Sequence, residues 1–85
     1  PMRRYFASGE INSQVKDAGK VLDAVKARYN DGKILELDGV SVEYANYWFN
    51  VRASNTEPLT RLNLEARTQS LMEKKRDEVL ALMRA

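Results

Sequence analysis

The sequence contains neither cysteine nor histidine. Without cysteine, disulfides and thiolate metal ligands are excluded. Without histidine, the chain lacks the usual general base near neutral pH and the commonest metal ligand. Catalysis by this chain alone would therefore depend on carboxylates or lysines whose pKa values are shifted by their surroundings.

Long apolar runs and a charge excess are missing as well. No stretch approaches the roughly 20 residues that a membrane helix needs, and no signal-peptide pattern opens the chain, so we expect a cytoplasmic protein without membrane contact. The 14 Lys and Arg nearly balance the 12 Asp and Glu, which gives a net charge of +2. A balance this close does not indicate nucleic-acid binding.

The remaining composition is that of a folded domain. The chain has 85 residues, of which 44% are hydrophobic and 31% are charged, as in ordinary globular domains. At this length we expect one domain with one small core, spanning residues 1–85. Because Pro1 precedes Met2, we expect the chain either to be a piece of a longer protein or to carry a cloning remnant.

Hydrophobic periodicity predicts the first two elements. Residues 10–15 alternate as a strand does, and from Asp17 onwards apolar residues recur at helical spacing as far as Tyr29. Asp17 is predicted to cap this helix, and Gly32 is predicted to end it in a left-handed conformation.

Alternating residues then predict four more strands. Asp38 and Gly39 lie between the apolar runs 34–37 and 40–44, which predicts a two-residue hairpin turn with positive φ at both positions. The last two strands are predicted near residues 47–52 and 59–66, and alternate side chains should face opposite sides of the sheet.

The C-terminal residues predict a second amphipathic helix that begins at Thr68 or Ser70, with Ser70 and Glu73 as a capping box. Lys75 and Glu78 are predicted on its outer face, and the inner face consists of apolar residues, Leu71, Met72, Val79, Leu80, Leu82 and Met83. The order β-α-β-β-β-β-α implies an α+β fold, in which an antiparallel sheet of four to five strands carries both helices on one face.

Residues 52–58, with the sequence Arg-Ala-Ser-Asn-Thr-Glu-Pro, hold the most distinctive chemistry. Arg52 can grip a phosphoryl group through two charge-assisted hydrogen bonds, while Ser54 and Thr56 offer hydroxyl donors beside the backbone N–H groups of the turn. The alternative is that this segment is only a turn, with Arg52 paired to Glu57 at the surface.

The same string resembles the phosphate-binding loop of the α-D-phosphohexomutase family. Residues 8–12, residues 38–40, Arg61 and residues 65–66 also resemble the C-terminal domain of its phosphomannomutase/phosphoglucomutase branch. The resemblance covers nearly the whole chain. It implies the C-terminal substrate-phosphate-binding domain of a larger enzyme, with a fold similar to the TATA-binding protein repeat.

The resemblance further implies an isomerase that moves phosphate between C1 and C6 of mannose or glucose. The partners would be the hexose 1- or 6-phosphate and the three other domains of the parent enzyme. Glu57 and Arg61 would support the loop, unless Arg61 itself contacts phosphate. The residues implied to bind the non-transferred phosphate are Arg52, Ser54, Asn55 and Thr56.

The catalytic parts of the family have no counterpart in this sequence. The phosphorylated serine, the Mg²⁺-binding aspartate loop and the sugar-reading loop of such enzymes belong to the other domains. We therefore expect no catalytic residue and no metal site in this chain. For the full-length enzyme, the resemblance implies Mg²⁺ and a bisphosphorylated hexose activator.

Two alternatives stay open. A small nucleic-acid-binding module would use exposed sheet aromatics together with Arg52, Arg61 and Arg67, so the exposure of Trp48 separates it from the mutase interpretation. A phosphoglucosamine mutase C-terminal domain is the other alternative, although that branch typically has glycine where Asn55 stands.

We predict that the 85-residue chain alone does not interconvert hexose 1- and 6-phosphates, because the serine and metal loops are absent. The measurement is a coupled assay with Mg²⁺ and bisphosphate activator, and a complete mutase serves as the positive control. Turnover by the purified chain would contradict this and would require a nucleophile within these residues.

Overall fold

The computed structural model describes residues 5–85, and within them the chain forms six strands and two helices. Neither helix is long and apolar enough to cross a membrane. In chain order the elements are β1 (Phe6–Ala7), β2 (Ile11–Gln14), α1 (Ala18–Arg28), β3 (Lys33–Leu35), β4 (Val40–Glu43), β5 (Tyr47–Ala53), β6 (Leu59–Ala66) and α2 (Gln69–Met83).

All six strands belong to one antiparallel sheet. The order across the sheet is β1-β6-β5-β4-β3, and β2 also pairs with β6. β1 pairs with the end of β6 and β2 with its beginning, so the two short strands share one edge. The predicted α+β fold is confirmed, with β1 as a short strand that the periodicity did not reveal. The predicted domain also includes residues 1–4, which lie outside the described part.

The core lies between one face of the sheet and the two helices. Along β5 and β6, buried and more exposed residues alternate, as expected of a sheet covered on one side. This confirms the face assignment made from the sequence. The buried apolar residues are Val25, Tyr29, Val40, Val42, Tyr47, Phe49, Val51, Leu62, Leu64, Ala66, Met72, Val79 and Met83.

α1 begins as predicted but ends differently. The Asp17 carboxylate accepts a hydrogen bond from the Lys20 backbone N–H at 3.2 Å, so Asp17 is the N-cap. The helix ends at Arg28, and Gly32 does not have a positive φ, so the predicted left-handed stop is wrong. Gly32 is required for packing instead, because a Cβ there would lie 2.6 Å from Val42 Cγ1.

α2 begins after Thr68, whose hydroxyl accepts a hydrogen bond from the Leu71 N–H at 3.1 Å. The predicted capping box of Ser70 and Glu73 is wrong, because Ser70 already lies within the first turn of the helix. The hydrophobic stripe was assigned correctly, since its most buried members are Met72, Val79 and Met83.

The β3–β4 hairpin has a longer turn than predicted. Ile34 pairs with Val42 and Leu35 with Ser41, which leaves residues 36–39 in the connection. Only Gly39, with φ +76°, has a positive φ there, so a two-residue turn with two positive φ values is wrong. The observed register places Ile34 against the core, whereas a shift by one residue would turn it to the outer face.

Glu78 of α2 connects the two helices. Both Glu78 and Lys75 are half-buried, although the sequence predicted that they would lie on the outer face of α2. The Glu78 carboxylate accepts from Tyr29 Oη at 2.8 Å and lies 3.5 Å from Arg28 and 3.4 Å from Lys75. Burial alone would raise the Glu78 pKa, but the Tyr29 hydrogen bond and the two positive charges outweigh it, so the pKa is lowered from 4.5. The ionised carboxylate therefore stabilises the fold.

We predict that this contribution disappears in acid. A lowered folded-state pKa means that the stabilisation is present above about pH 4.5 and is lost as the pH falls through the folded value. Glu78→Gln should therefore lower the free energy of unfolding at neutral pH, and the difference from the unsubstituted chain should shrink towards zero in acid. Urea melts at several pH values measure this.

Tyr29→Phe is the matched variant, because it removes only one hydrogen bond to the carboxylate. It should lower the free energy of unfolding at neutral pH by part of the amount expected for Glu78→Gln, and this deficit should also shrink in acid. A Glu78→Gln deficit that stayed constant down to acidic pH would show that shape, and not charge, makes Glu78 stabilising.

Candidate functional site

The distinctive loop connects the end of β5 to the beginning of β6 at one end of the sheet. Residues 54–58 close it, and the Ser54 N–H donates to the Leu59 carbonyl at 3.0 Å. The Pro58 carbonyl accepts from the Val15 N–H at 2.9 Å, which ties the loop to the chain after β2. The loop is therefore anchored on both sides while its tip stays exposed.

Ser54 organises the interior of the loop. Its Oγ accepts hydrogen bonds from the backbone N–H groups of Thr56 and Glu57, each at 3.3 Å. Two of the backbone donors that we expected to face an anion are thus used within the turn. The Ser54 hydroxyl can still donate its own hydrogen outwards, and the Asn55 and Thr56 side chains are exposed.

Two arginines stand side by side below the loop. Arg52 on β5 pairs directly with Arg61 on β6, so both side chains project from the face opposite the helices. Like charges directly opposite each other destabilise a sheet. The Arg61 Nε is also buried and has no hydrogen-bond partner, which is unusual for a buried polar atom. The two guanidiniums thus concentrate positive charge beneath the loop.

The β3–β4 turn contacts Arg52 from the other side. The Asp38 Oδ2 lies 3.0 Å from the Arg52 Nη1. Asn50 Nδ2 donates to the Asp38 carbonyl at 2.8 Å and to Ser41 Oγ at 2.9 Å, so the turn is held against β5. At Gly39 a Cβ would lie 2.4 Å from the Val51 carbonyl oxygen. The turn can approach β5 this closely only because residue 39 has no side chain.

These elements enclose a cleft of about 610 Å³. Five predicted site residues share it, namely Arg52, Ser54, Asn55, Thr56 and Arg61. Glu57 is not among the lining residues. The residues that sequence reasoning did not place in the site are Leu22, Asp38 and Gly39.

The two alternative partnerships proposed for Glu57 do not occur among the described contacts. The ion pair of Arg52 is formed with Asp38, so the alternative of a surface pair between Arg52 and Glu57 is wrong. No Arg61–Glu57 contact occurs among residues 5–85, and the Arg61 Nε is buried without a partner. The position of Asp38 follows from the register of β4 and β5, because pairing of Val40 with Val51 extends to residue 39 opposite residue 52 and leaves residue 38 one position further along.

The open face of the sheet does not have the character of a nucleic-acid platform. Trp48 is half-buried, and its ring packs edge-on against Tyr5 at 4.5 Å. Its two cross-strand partners are Glu43 and Glu65. Carboxylates on both sides of the indole would repel a phosphate backbone, so the structure does not support the nucleic-acid alternative.

Comparison with known proteins identifies the family of this chain. The family model described as the C-terminal domain of phosphoglucomutase/phosphomannomutase matches residues 10–82. The chain belongs to this family. The match includes the cleft residues, from Leu22 to Arg61.

Individual relatives carry the same kind of name. The chain is 48% identical over 80 residues to a phosphomannomutase from Methanocaldococcus jannaschii, with 94% of this chain and 18% of that protein aligned. It is 43% identical over 83 residues to a phosphomannomutase from Escherichia coli, again with 94% of this chain and 18% of the relative. The chain thus spans less than a fifth of the length of these relatives.

A solved structure has the same fold. The crystal structure of a phosphoglucomutase/phosphomannomutase family protein from Burkholderia thailandensis superposes with a TM-score of 0.71 and 22% sequence identity. The superposition covers 94% of this chain and 17% of that protein. At this identity the likeness bears on the fold alone, and it supports the two-layer architecture.

We predict that Gly39→Ala damages the fold more than Gly9→Ala does. Both glycines have a positive φ, +76° and +73°, but a Cβ at Gly9 meets nothing within 4 Å. Gly9→Ala should therefore cost only the backbone strain of about 1–3 kcal/mol. Gly39→Ala adds the clash with the Val51 carbonyl and should cost more. Urea melts of both variants measure the difference, and equal losses would contradict the close approach of the turn to β5.

Proposed function

We propose that this chain is the part of a phosphohexomutase that binds the non-transferred phosphate of a hexose phosphate. The observation that carries the proposal is the direct pairing of Arg52 with Arg61 beneath a loop of hydroxyl and amide side chains. The family and the names of the relatives supply the enzyme class. The side chains that line the cleft supply the hydrogen-bond donors for phosphate.

A phosphate dianion fits the charges of the cleft. Two adjacent guanidiniums repel each other until an anion lies between them, and arginine matches phosphate oxygens through parallel N–H donors. The Nε of Arg61 is buried, so an anion in the cleft that Arg61 lines would be bound by the outer N–H groups of its guanidinium. This favours contact of Arg61 with phosphate over a purely supporting role.

The loop residues complete the proposed set of donors. The Ser54 hydroxyl is fixed in place by the two N–H groups that it accepts, so its own hydrogen is free to donate to phosphate. The side chains of Asn55 and Thr56 are exposed beside it and line the same cleft. Glu57 does not line the cleft and is not among the proposed contacts.

Holding a phosphate at the distal end of the substrate would serve catalysis elsewhere in the enzyme. Fixed remote contacts convert binding energy into orientation of the reacting group. In a mutase that moves phosphate between C1 and C6 of mannose or glucose, the same cleft would hold either end of the sugar in turn. Rigid donors such as guanidiniums suit this task, because they recognise the phosphate and not the sugar.

Metal chemistry is not assigned to this chain. Among residues 5–85, no group of three or more carboxylates gathers as a metal ion would require. The Mg²⁺ and the bisphosphorylated activator that the resemblance implies are proposed for the remainder of the enzyme, together with the reacting serine. The chemistry proposed here involves only arginines, hydroxyls and an amide.

We predict that inorganic phosphate binds the 85-residue chain weakly at this cleft. In a nuclear magnetic resonance titration, backbone amide signals of residues 54–57 should shift far more than those of α1 and α2. Binding should be about millimolar and should weaken with added salt, because an exposed anion site is screened. Arg52→Lys should weaken binding by about 1.5–3 kcal/mol, the scale of hydrogen bonds to charged groups, and Arg52→Ala should weaken it further.

Arg76→Ala is the matched control, because it removes the same charge from α2, on the opposite side of the sheet. It should leave the phosphate affinity nearly unchanged. If Arg52→Ala and Arg76→Ala weakened binding equally, net charge and not the cleft would be responsible. If Arg52→Ala lowered only the melting temperature, Arg52 would be a structural partner of Asp38 and the phosphate site would be refuted.

A further inference from the structure

We infer that Asp38 is a positioning residue for the proposed phosphate site. Its carboxylate lies 3.0 Å from the Arg52 Nη1 and would hold the guanidinium in the orientation that receives phosphate. The inference rests on the proposed function. It assigns a role to a residue that the sequence explained only as part of a turn.

The position of Asp38 is fixed by its backbone. Asn50 Nδ2 donates to the Asp38 carbonyl at 2.8 Å, and the neighbouring Gly39 packs against the Val51 carbonyl and Arg52 Cγ. Asn50 lies two residues before Arg52 on the same face of β5. The carboxylate therefore comes from a turn that is fastened to the strand that carries its partner.

This arrangement differs from an ordinary surface ion pair. An exposed pair contributes little when two long side chains must both be ordered to form it. Here the short Asp38 side chain extends from a held turn, so only the Arg52 side chain has to be ordered. The Arg52 side chain is 38% exposed, and among residues 5–85 Asp38 is the side chain that is bonded to its guanidinium.

Arg52 keeps enough donors for a ligand. A guanidinium has five N–H groups, and Asp38 contacts Nη1 alone. The remaining donors stay available to an anion in the cleft. Asp38 also offsets part of the repulsion between Arg52 and Arg61 while no phosphate is bound.

Asp38 has a second, opposing effect, because its own negative charge repels an incoming phosphate. The side chain of Asp38 is 76% exposed, so water and salt screen this repulsion strongly. The contact that orders Arg52 is direct, at 3.0 Å, so water and salt screen it less. We therefore infer that ordering outweighs repulsion and that removal of the carboxylate weakens phosphate binding even though the cleft becomes more positive.

The test compares phosphate titrations of Asp38→Ala, Asp38→Asn and Glu36→Gln with the unsubstituted chain. Asp38→Ala should raise the Kd for inorganic phosphate by about 2- to 12-fold, the affinity equivalent of ordering one flexible side chain. Asp38→Asn keeps an acceptor for Nη1 and should have a smaller effect. Glu36→Gln removes the same charge from the same connection without touching Arg52 and should not weaken binding.

A second measurement reports the positioning directly. Nitrogen relaxation of the Arg52 Nε–H group in the phosphate-free chain should show greater mobility in Asp38→Ala than in the unsubstituted protein, with an intermediate value for Asp38→Asn. A merely structural role of Asp38 would lower the melting temperature and leave this local mobility unchanged.

The outcomes separate this inference from the proposed function. If phosphate does not bind the unsubstituted chain, the proposed function fails, and this inference fails with it. If phosphate binds the unsubstituted chain and binds Asp38→Ala equally or more tightly, only the positioning role is overturned, and Asp38 is instead a competitor for Arg52.

Discussion

Antiparallel pairing of β5 with β6 is the constraint on which both the core and the cleft depend. Because successive residues of a strand face opposite sides, the register that places Phe49 beside Leu64 on the helix side also places Arg52 beside Arg61 on the other side. The apolar pairs stabilise the sheet against the helices. The same geometry forces two positive charges together at the end of the strands, where the chain turns into the loop of residues 54–58.

The charged cleft therefore depends on the same strand register as the apolar core. Its loop is shaped by Ser54, which accepts two backbone N–H groups, and its floor is formed by the two arginines. The β3–β4 turn completes it through Asp38, because Gly39 allows that turn to contact β5 closely. The loop and the arginines belong to the β5–β6 hairpin, and Asp38 belongs to the β3–β4 hairpin. A change in the register of the first hairpin would separate the donors, and a change in the pairing of β4 with β5 would remove Asp38 from Arg52.

Elements with strong periodicity were predicted well, including the Asp17 cap of α1 and the bounds of β6, whereas the C-terminal end of α1 and the capping of α2 were not. The strands near residues 47–52 and 59–66 and the inward faces of both helices follow directly from alternation and helical spacing. The ends depend on competition between neighbouring residues. Of the two starts predicted for α2, Thr68 is the N-cap and Ser70 is not, and Gly32 is needed for its contact with Val42 and not for a positive φ. Local residue preferences do not contain such packing contacts.

The family and the α+β order could be predicted from the sequence, and the polar residues of the segment 52–58 could be identified in it, because these depend on local pattern and on motif identity. Which charges meet became clear only from the folded chain. The pairing of Arg52 with Asp38 instead of Glu57 and the unpartnered Nε of Arg61 result from contacts between strands. A distant residue reaches such a position through the register of a sheet, which is set by burial of the opposite face.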